Sequence, residues 1–172
     1  FRAEGAEVAI IDVDEAAVDT CARKLGVFGL VYDVTRPEAI QNAFNKIAAA
    51  YGGVDIVVSN AGAAWQGRIG EVEEQVLRQS FELNFWAHQF VARAAVRVML
   101  AQGTGGCLLF NVSKQAINPG PDFGPYGLPK AATLALMRQY AVDYGRDGIR
   151  ACAVNADRVR SGLLTGTMIA ER

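Results

Sequence analysis

Histidine, cysteine and proline are scarce in this sequence, and neither sign of charge prevails. Its 172 residues hold one His, three Cys and five Pro, with 17 basic and 18 acidic side chains for a formal charge of −1. A lone His and the lack of any CxxC or Cys/His cluster exclude a His-rich metal site, so no metal is expected. Cys21, Cys107 and Cys152 are odd in number and widely separated, and read as reduced thiols in or near the core. Without Lys/Arg clusters the chain has no electrostatic footprint for nucleic acid or an anionic membrane. No apolar run approaches the roughly 18 uncharged residues of a membrane span, and Phe1-Arg2-Ala3-Glu4-Gly5 has no signal-peptide layout. The expectation is a soluble, cytoplasmic protein that binds neither nucleic acid nor membrane.

What is present is apolar patterning: 51% of the residues are hydrophobic. A chain of this length is expected to form one domain and to bury roughly 70% of the surface its unfolded form exposes. Short apolar runs alternate with longer helical patterns, the signature of βαβ units around a parallel sheet. Residues 7–11, 28–32, 54–59, 106–110 and 149–154 read as strands, and their near-continuous apolar character predicts cover on both faces. Between them, 15–25 places Val18, Cys21, Ala22 and Leu25 on one helical face and closes at Gly26, suited to a left-handed C-cap. Thr35-Arg36-Pro37-Glu38 predicts the next helix, with Thr35 as N-cap, Pro37 in the first turn and a stripe of Ile40, Ala43, Phe44, Ile47 and Ala48. Helical stretches over 73–102 and 126–144 complete the set, separated by a strand and a Pro/Gly-rich loop from Lys114 to Pro125. Crossovers of the usual hand align the C-terminal strand ends along one edge, where ligands of open α/β sheets bind.

Those strand ends carry the candidate chemistry. Asp12 follows the first strand, where a carboxylate accepts hydrogen bonds from a ribose 2′-hydroxyl and repels a 2′-phosphate; a helix-capping role for Asp12 or Asp14 fits equally well. Asp33-Val34 follow the second strand. Asn60-Ala61-Gly62 follow the third, where small residues admit a flat ring or ribose to the backbone, or simply make a turn. Tyr126 and Lys130, four residues apart at the start of a helix, share a face. A nearby ammonium favours the phenolate and moves a Tyr toward use as a base; a capping Tyr and a solvated Lys are the plainer alternative. Ser113, thirteen residues before Tyr126, follows a buried strand, where its hydroxyl can hold a substrate oxygen or be an ordinary loop hydroxyl. Asn84 stands among aromatics in Phe81-Glu82-Leu83-Asn84-Phe85-Trp86, as a functional amide or a satisfied core Asn.

Taken in order and spacing, these residues resemble the short-chain dehydrogenase/reductase family over essentially the whole chain. The resemblance implies a Rossmann-like, doubly wound α/β fold with helices on both faces of a parallel sheet. It implies Asp12, Asp33, Val34, Asn60, Ala61, Gly62, Tyr126 and Lys130 as NAD-binding residues, with NADP disfavoured by Asp12. It carries the catalytic roles to Asn84, Ser113, Tyr126 and Lys130: Tyr126 as general acid or base on the carbinol oxygen, Ser113 holding that oxygen, Lys130 lowering the phenol pKa and binding the nicotinamide ribose, and Asn84 anchoring a water that relays protons to Lys130. Phe110-Asn111-Val112-Ser113-Lys114, Asn118-Pro119-Gly120, Tyr126-Gly127-Leu128-Pro129-Lys130 and Val154-Asn155-Ala156-Asp157-Arg158 are further similar to the dehydrogenase half of bifunctional aldolase/short-chain dehydrogenases of deoxysugar breakdown. That implies a small hydroxy-aldehyde, polyol or sugar-derived substrate. Pairing of the 73–102 and 126–144 helices across a two-fold axis implies a homodimer or homotetramer.

The chain departs from the family pattern at both ends. An acidic ribose residue follows the Gly-rich phosphate loop by about 20 residues, and Asp12 has eleven residues before it. The first strand and its loop are therefore expected to fall before Phe1, leaving a gap in the middle of the sheet; the last strand is likewise expected to be missing, and Ser161 to Arg172 resembles the start of a substrate-covering segment. Lys114 stands where many relatives carry a second Ser, and Ala156-Asp157 where Pro-Gly is usual. Two other readings stay open. One is a non-catalytic fragment or scaffold unable to bind dinucleotide; the other is a nucleotide-sugar epimerase or dehydratase, which also uses Tyr and Lys four apart but carries a substrate domain without counterpart here.

Overall fold

The computed structural model describes residues 1–157. The expected segment at 161–172, and Arg158 of the last motif, lie outside the described residues. Strands β1 (Ala9–Asp12), β2 (Phe28–Val31), β3 (Ile56–Ser59), β4 (Gly106–Asn111) and β5 (Ile149–Val154) alternate with helices α1 (Glu15–Leu25), α2 (Pro37–Tyr51), α3 (Glu74–Phe81), α4 (Ala87–Gln102) and α5 (Gly124–Tyr144). All strand pairs are parallel, arranged as a two-stranded β1-β2 sheet and a three-stranded β3-β4-β5 sheet. Among the described residues β1 pairs only with β2. An open cleft of about 1390 Å³, lined by both β1 and β3, separates the two sheets.

Local signals act as expected at α1. Asp14 is its N-cap and accepts from Ala17 N–H at 3.0 Å, and Gly26 ends it at φ 63°. Leu25, predicted on the buried face, is instead 49% exposed, at the last residue of the helix. At α2 the Pro37 prediction holds, but the N-cap is Arg36 with no side-chain bond; Thr35 is drawn off because its Oγ1 donates to Asp33 Oδ1 at 2.7 Å. β3 starts two residues later than predicted. The Gln102 amide takes both backbone groups of Val54, accepting from its N–H and donating to its C=O at 2.9 Å each, so Val54 is paired by a side chain rather than by a strand.

The predicted 73–102 helix is continuous but not uniform: a π-helical turn, Glu82–Trp86, joins α3 to α4. Such turns widen the helix by one residue and are frequent at functional sites.

Helices cover both faces around β2. Leu30 packs with Ala43 and Ile47 of α2, whereas a Cβ on its neighbour Gly29 would lie 2.8 Å from Val18 and 3.0 Å from Ala22 of α1. Successive strand residues point to opposite faces, so α1 and α2 flank the strand from opposite sides. The three-stranded sheet is different. Val57, Leu108, Phe110 and Ile149 pack with Ala92, Ala95, Val96 and Met99 of α4 and Tyr140 of α5, while Ile56, Val58 and Val154 on its other face are 53%, 45% and 49% exposed. Among the described residues α4 and α5 both pack on one side of this sheet. Cys152, read as a core or near-core thiol, is corrected: it lies on the other face and is exposed, with its Sγ 3.9 Å from that of Cys107. All three cysteines are free.

Candidate active site

The C-terminal strand ends converge on a cleft of about 1020 Å³. Asp12, Asp33, Val34, Asn60, Ala61, Gly62, Ser113 and Tyr126 all line it. Asn84 and Lys130, 0% and 2% exposed, do not; they lie behind the turn after β3. Gly62 joins the two groups. A Cβ there would sit 2.8 Å from Asn84 Oδ1 and 3.3 Å from Lys130 Nζ, so only a residue without a side chain fits the turn as built.

Asp12 ends β1, and its Oδ1 accepts from Asp14 N–H at 3.1 Å. Since Asp14 is the helix cap, Asp12 is left as an exposed carboxylate at the strand end. Asp33 is tied down locally: Thr35 Oγ1 and N–H donate to Oδ1, at 2.7 and 2.9 Å. These bonds, the hydroxyl's first, hold the Asp33 carboxyl below its ordinary value, with a smaller contribution from Arg36 and against the opposing effect of burial.

Tyr126 and Lys130 share a face of the first turns of α5. Pro125 is tolerated there, and Pro129 cannot donate to the carbonyl four residues earlier. Burial pushes the half-buried Tyr126 phenol up, and a hydrogen bond with the Ser113 hydroxyl pulls it back. Ser113 also caps the short turn Lys114–Ala116, its Oγ accepting from Gln115 N–H at 3.2 Å. The expected lowering of the phenol by Lys130 is not what sets its position. Nζ lies 5.8 Å from the Tyr126 ring centre, over its face, and donates to the Asn111 carbonyl at 2.9 Å. Burial brings Lys130 down to about 8.

Asn84 occupies the π-helical turn. Its Nδ2 donates to Ala63 O at 2.8 Å and Ser80 Oγ at 3.1 Å, and its backbone carbonyl accepts from Thr133 Oγ1 at 2.6 Å. Its Oδ1 is buried with no partner among the described residues. A wholly satisfied core Asn does not leave an acceptor unpaired in the interior. Two further residues were not singled out by sequence: His88, whose ring bridges Ser59 and Lys130, and Asn111, whose Nδ2 donates to Asn60 Oδ1 at 2.8 Å and steadies the turn after β3. The available signal for His88 was its position four residues after Asn84, on the same helical face.

The residues suit a nicotinamide dinucleotide at its two ends. Asp12 would offer an anionic acceptor to adenosine ribose hydroxyls, Val34 and Ala61 would offer apolar contact, and the Gly62 turn and Tyr126 would stand beside a second ribose. The model described as enoyl-(acyl carrier protein) reductase matches residues 1–170. The chain belongs to the short-chain dehydrogenase/reductase family. It is similar to the uncharacterized oxidoreductase YuxG of Bacillus subtilis (strain 168), 32% identical over 94% of this chain and 24% of that protein. It is also similar to 1-deoxy-11-beta-hydroxypentalenate dehydrogenase of Streptomyces exfoliatus, 32% identical over 96% of this chain and 63% of that protein. Among solved structures, a gluconate 5-dehydrogenase from Burkholderia cenocepacia J2315, in complex with NADP and tartrate, superposes with a TM-score of 0.87 at 27% identity, covering 92% of this chain and 64% of that one. The chain thus spans between a quarter and just under two thirds of the length of these short-chain dehydrogenase/reductase relatives.

Proposed function

We propose that this chain is the catalytic part of an NAD-preferring oxidoreductase that interconverts an alcohol and a carbonyl on a small hydroxy-aldehyde, polyol or sugar-derived substrate. The observation that carries this is that Ser113 and Tyr126 line the same cleft, with Lys130 buried behind its wall. Ser113 Oγ holds the substrate oxygen and Tyr126 Oη gives it, or takes from it, a proton. Lys130 binds the ribose hydroxyls on the nicotinamide side, and Asn84 anchors a water near it, which accounts for the orphaned Oδ1. NAD, when bound, supplies the hydride exchange.

The finer parts of the proposal rest on separate supports. NAD over NADP rests on the exposed carboxylate of Asp12. Likeness to the dehydrogenase half of bifunctional aldolase/short-chain dehydrogenases rests on the motifs around Ser113, Tyr126 and Asn155. A sugar-derived substrate accords with the gluconate 5-dehydrogenase likeness. Residues 1–172 are proposed as one partial dinucleotide-binding domain acting in the cytoplasm; among the described residues no helix is long and apolar enough to cross a membrane.

The test is turnover of the full-length protein with NAD and a panel of small hydroxy-aldehydes and polyols. Tyr126→Phe is expected to lower kcat by about 10² to 10⁴; a variant that turns over at the parental rate removes Tyr126 from this role. Titrating the 172-residue chain with NAD in a calorimeter separates this from a non-catalytic scaffold, which would bind none.

A further inference from the structure

One buried titratable group has no task in the reaction just described. His88 is 1% exposed, one helical turn beyond Asn84, and both ring nitrogens are engaged: Nδ1 lies 2.6 Å from Ser59 Oγ and Nε2 lies 3.4 Å from Lys130 Nζ. Ser59, at the end of β3, is itself 7% exposed. Three polar side chains from β3, α4 and α5 thus form one buried chain that ends on the amino group of Lys130.

We propose that His88, held by Ser59, is a positioning residue for Lys130, and that its ring changes from hydrogen-bond acceptor to donor when the Lys130 amino group changes charge. A charged ammonium carries three donors and no acceptor. The Asn111 carbonyl takes one of them, and Nε2 takes another, so the ring proton resides on Nδ1 and is donated to Ser59 Oγ. Burial, with the Lys130 charge adding to it, keeps the ring neutral by pushing its pKa down to about 3. Lys130, lowered to about 8, reaches its amine form under mildly alkaline conditions. The amine has a lone pair that a carbonyl cannot serve, whereas an Nε2–H can.

The protons balance. The Lys130 proton passes to Nε2, the Nδ1 proton passes to Ser59 Oγ, and the original Ser59 hydroxyl proton leaves to solvent in the cleft that Ser59 and His88 line. His88 and Ser59 end with as many protons as they began with, and Lys130 with one fewer. Few other groups act on this chain. Lys130 is the charge that acts on His88, burial alone shifts Lys130, and Tyr126 is the remaining titratable neighbour, on Lys130's own helix. The facing elements contribute Ser59, Asn84 and Asn111, none of which titrates.

The functional meaning rests on the proposed role of Lys130 at the nicotinamide-side ribose, but the decisive measurement does not. With one His in the chain, selective ¹⁵N-histidine labelling of tag-free protein gives a single imidazole, read by long-range ¹H–¹⁵N correlation from about pH 5 to about pH 10. The expected result is a neutral Nδ1–H ring that converts to Nε2–H around the Lys130 titration at about 8, with the step abolished in Lys130→Met. A single tautomer throughout overturns the proposal on the unmodified protein, and so does a step that survives Lys130→Met. In the full-length protein His88→Leu should lower kcat about tenfold with little change in KM, and His88→Gln, which can accept or donate, should recover most of it. Leu and Gln variants of equal activity also overturn the proposal. A tautomer step in a protein that turns over no alcohol would instead overturn the oxidoreductase assignment and leave the Lys130–His88 coupling standing.

Discussion

Gly62 lies so close to Asn84 that a Cβ on it would come within 2.8 Å of the Asn84 Oδ1. Asn84 cannot swing aside, because its Nδ2 is bonded to Ala63 O and Ser80 Oγ and the residue is fully buried. Gly62→Ala is therefore expected to destabilise the fold by about 1–3 kcal/mol, the usual cost of overpacking. Urea unfolding measures it. A variant as stable as the parent would show that the turn after β3 yields without cost.

Of the two carboxylates that the sequence offers as a cap for α1, Asp14 takes the position and Asp12 does not. Asp14 caps α1, so Asp12→Ala leaves the cap in place and should shift Tm little. The same substitution removes the charge that would repel a 2′-phosphate. The NADP-to-NAD ratio of kcat/KM in the full-length protein is expected to rise about tenfold or more. An unchanged ratio would take Asp12 out of cofactor selection.

Acid should destabilise the protein through His88. Its folded pKa of about 3 lies below the ordinary 6.5 because burial, and then the Lys130 charge, oppose the imidazolium. Between those values the unfolded chain binds more protons, so stability rises with pH from about 3 to 6.5 and is lost on acidification through that window. Lys130 acts in the same sense at higher pH: with a folded value of about 8 against 10.5, it makes stability rise again across that interval. Urea midpoints at mildly acidic and neutral pH should differ less in a folded His88→Gln variant. An equal difference in parent and variant would remove His88 as the cause.

Oligomerisation should use α5 and the α3-to-α4 stretch, but not the residues that apolar content alone suggests. Val91, Val98, Leu134 and Met137 pack partly against the chain's own core, and Phe90 stacks under Trp86 with Arg93 over its face. The outward positions are Leu128 and Val142, 47% and 77% exposed, and Trp86 and Leu100, each 45% exposed. Each pair is fourteen residues apart and so falls on one helical face. Light scattering of the full-length protein should give a dimer or tetramer, and Val142→Asp should weaken it. A monomeric mass at micromolar concentration would refute the prediction.

Much of the scaffold was written in local pattern. The five strand runs, the Asp14 and Gly26 ends of α1, Pro37 in α2 and the shared face of Tyr126 and Lys130 depend on neighbours within about a turn of helix, and those interactions are encoded in consecutive residues. The tertiary structure decided matters of another kind. Thr35 serves Asp33 rather than the helix cap because both its hydroxyl and its N–H donate to the Asp33 carboxylate, and such charge-assisted bonds are stronger than accepting one helix N–H. Val54 leaves β3 for the amide of Gln102, 48 residues away. Which faces of β3, β4 and β5 are covered, and the partnership of His88 with Lys130 across 42 residues, follow from where helices dock. Burial by groups distant in sequence also sets the proton affinities of Tyr126, Lys130 and His88, since the loss of solvation comes from everything packed around a side chain and not from its sequence neighbours.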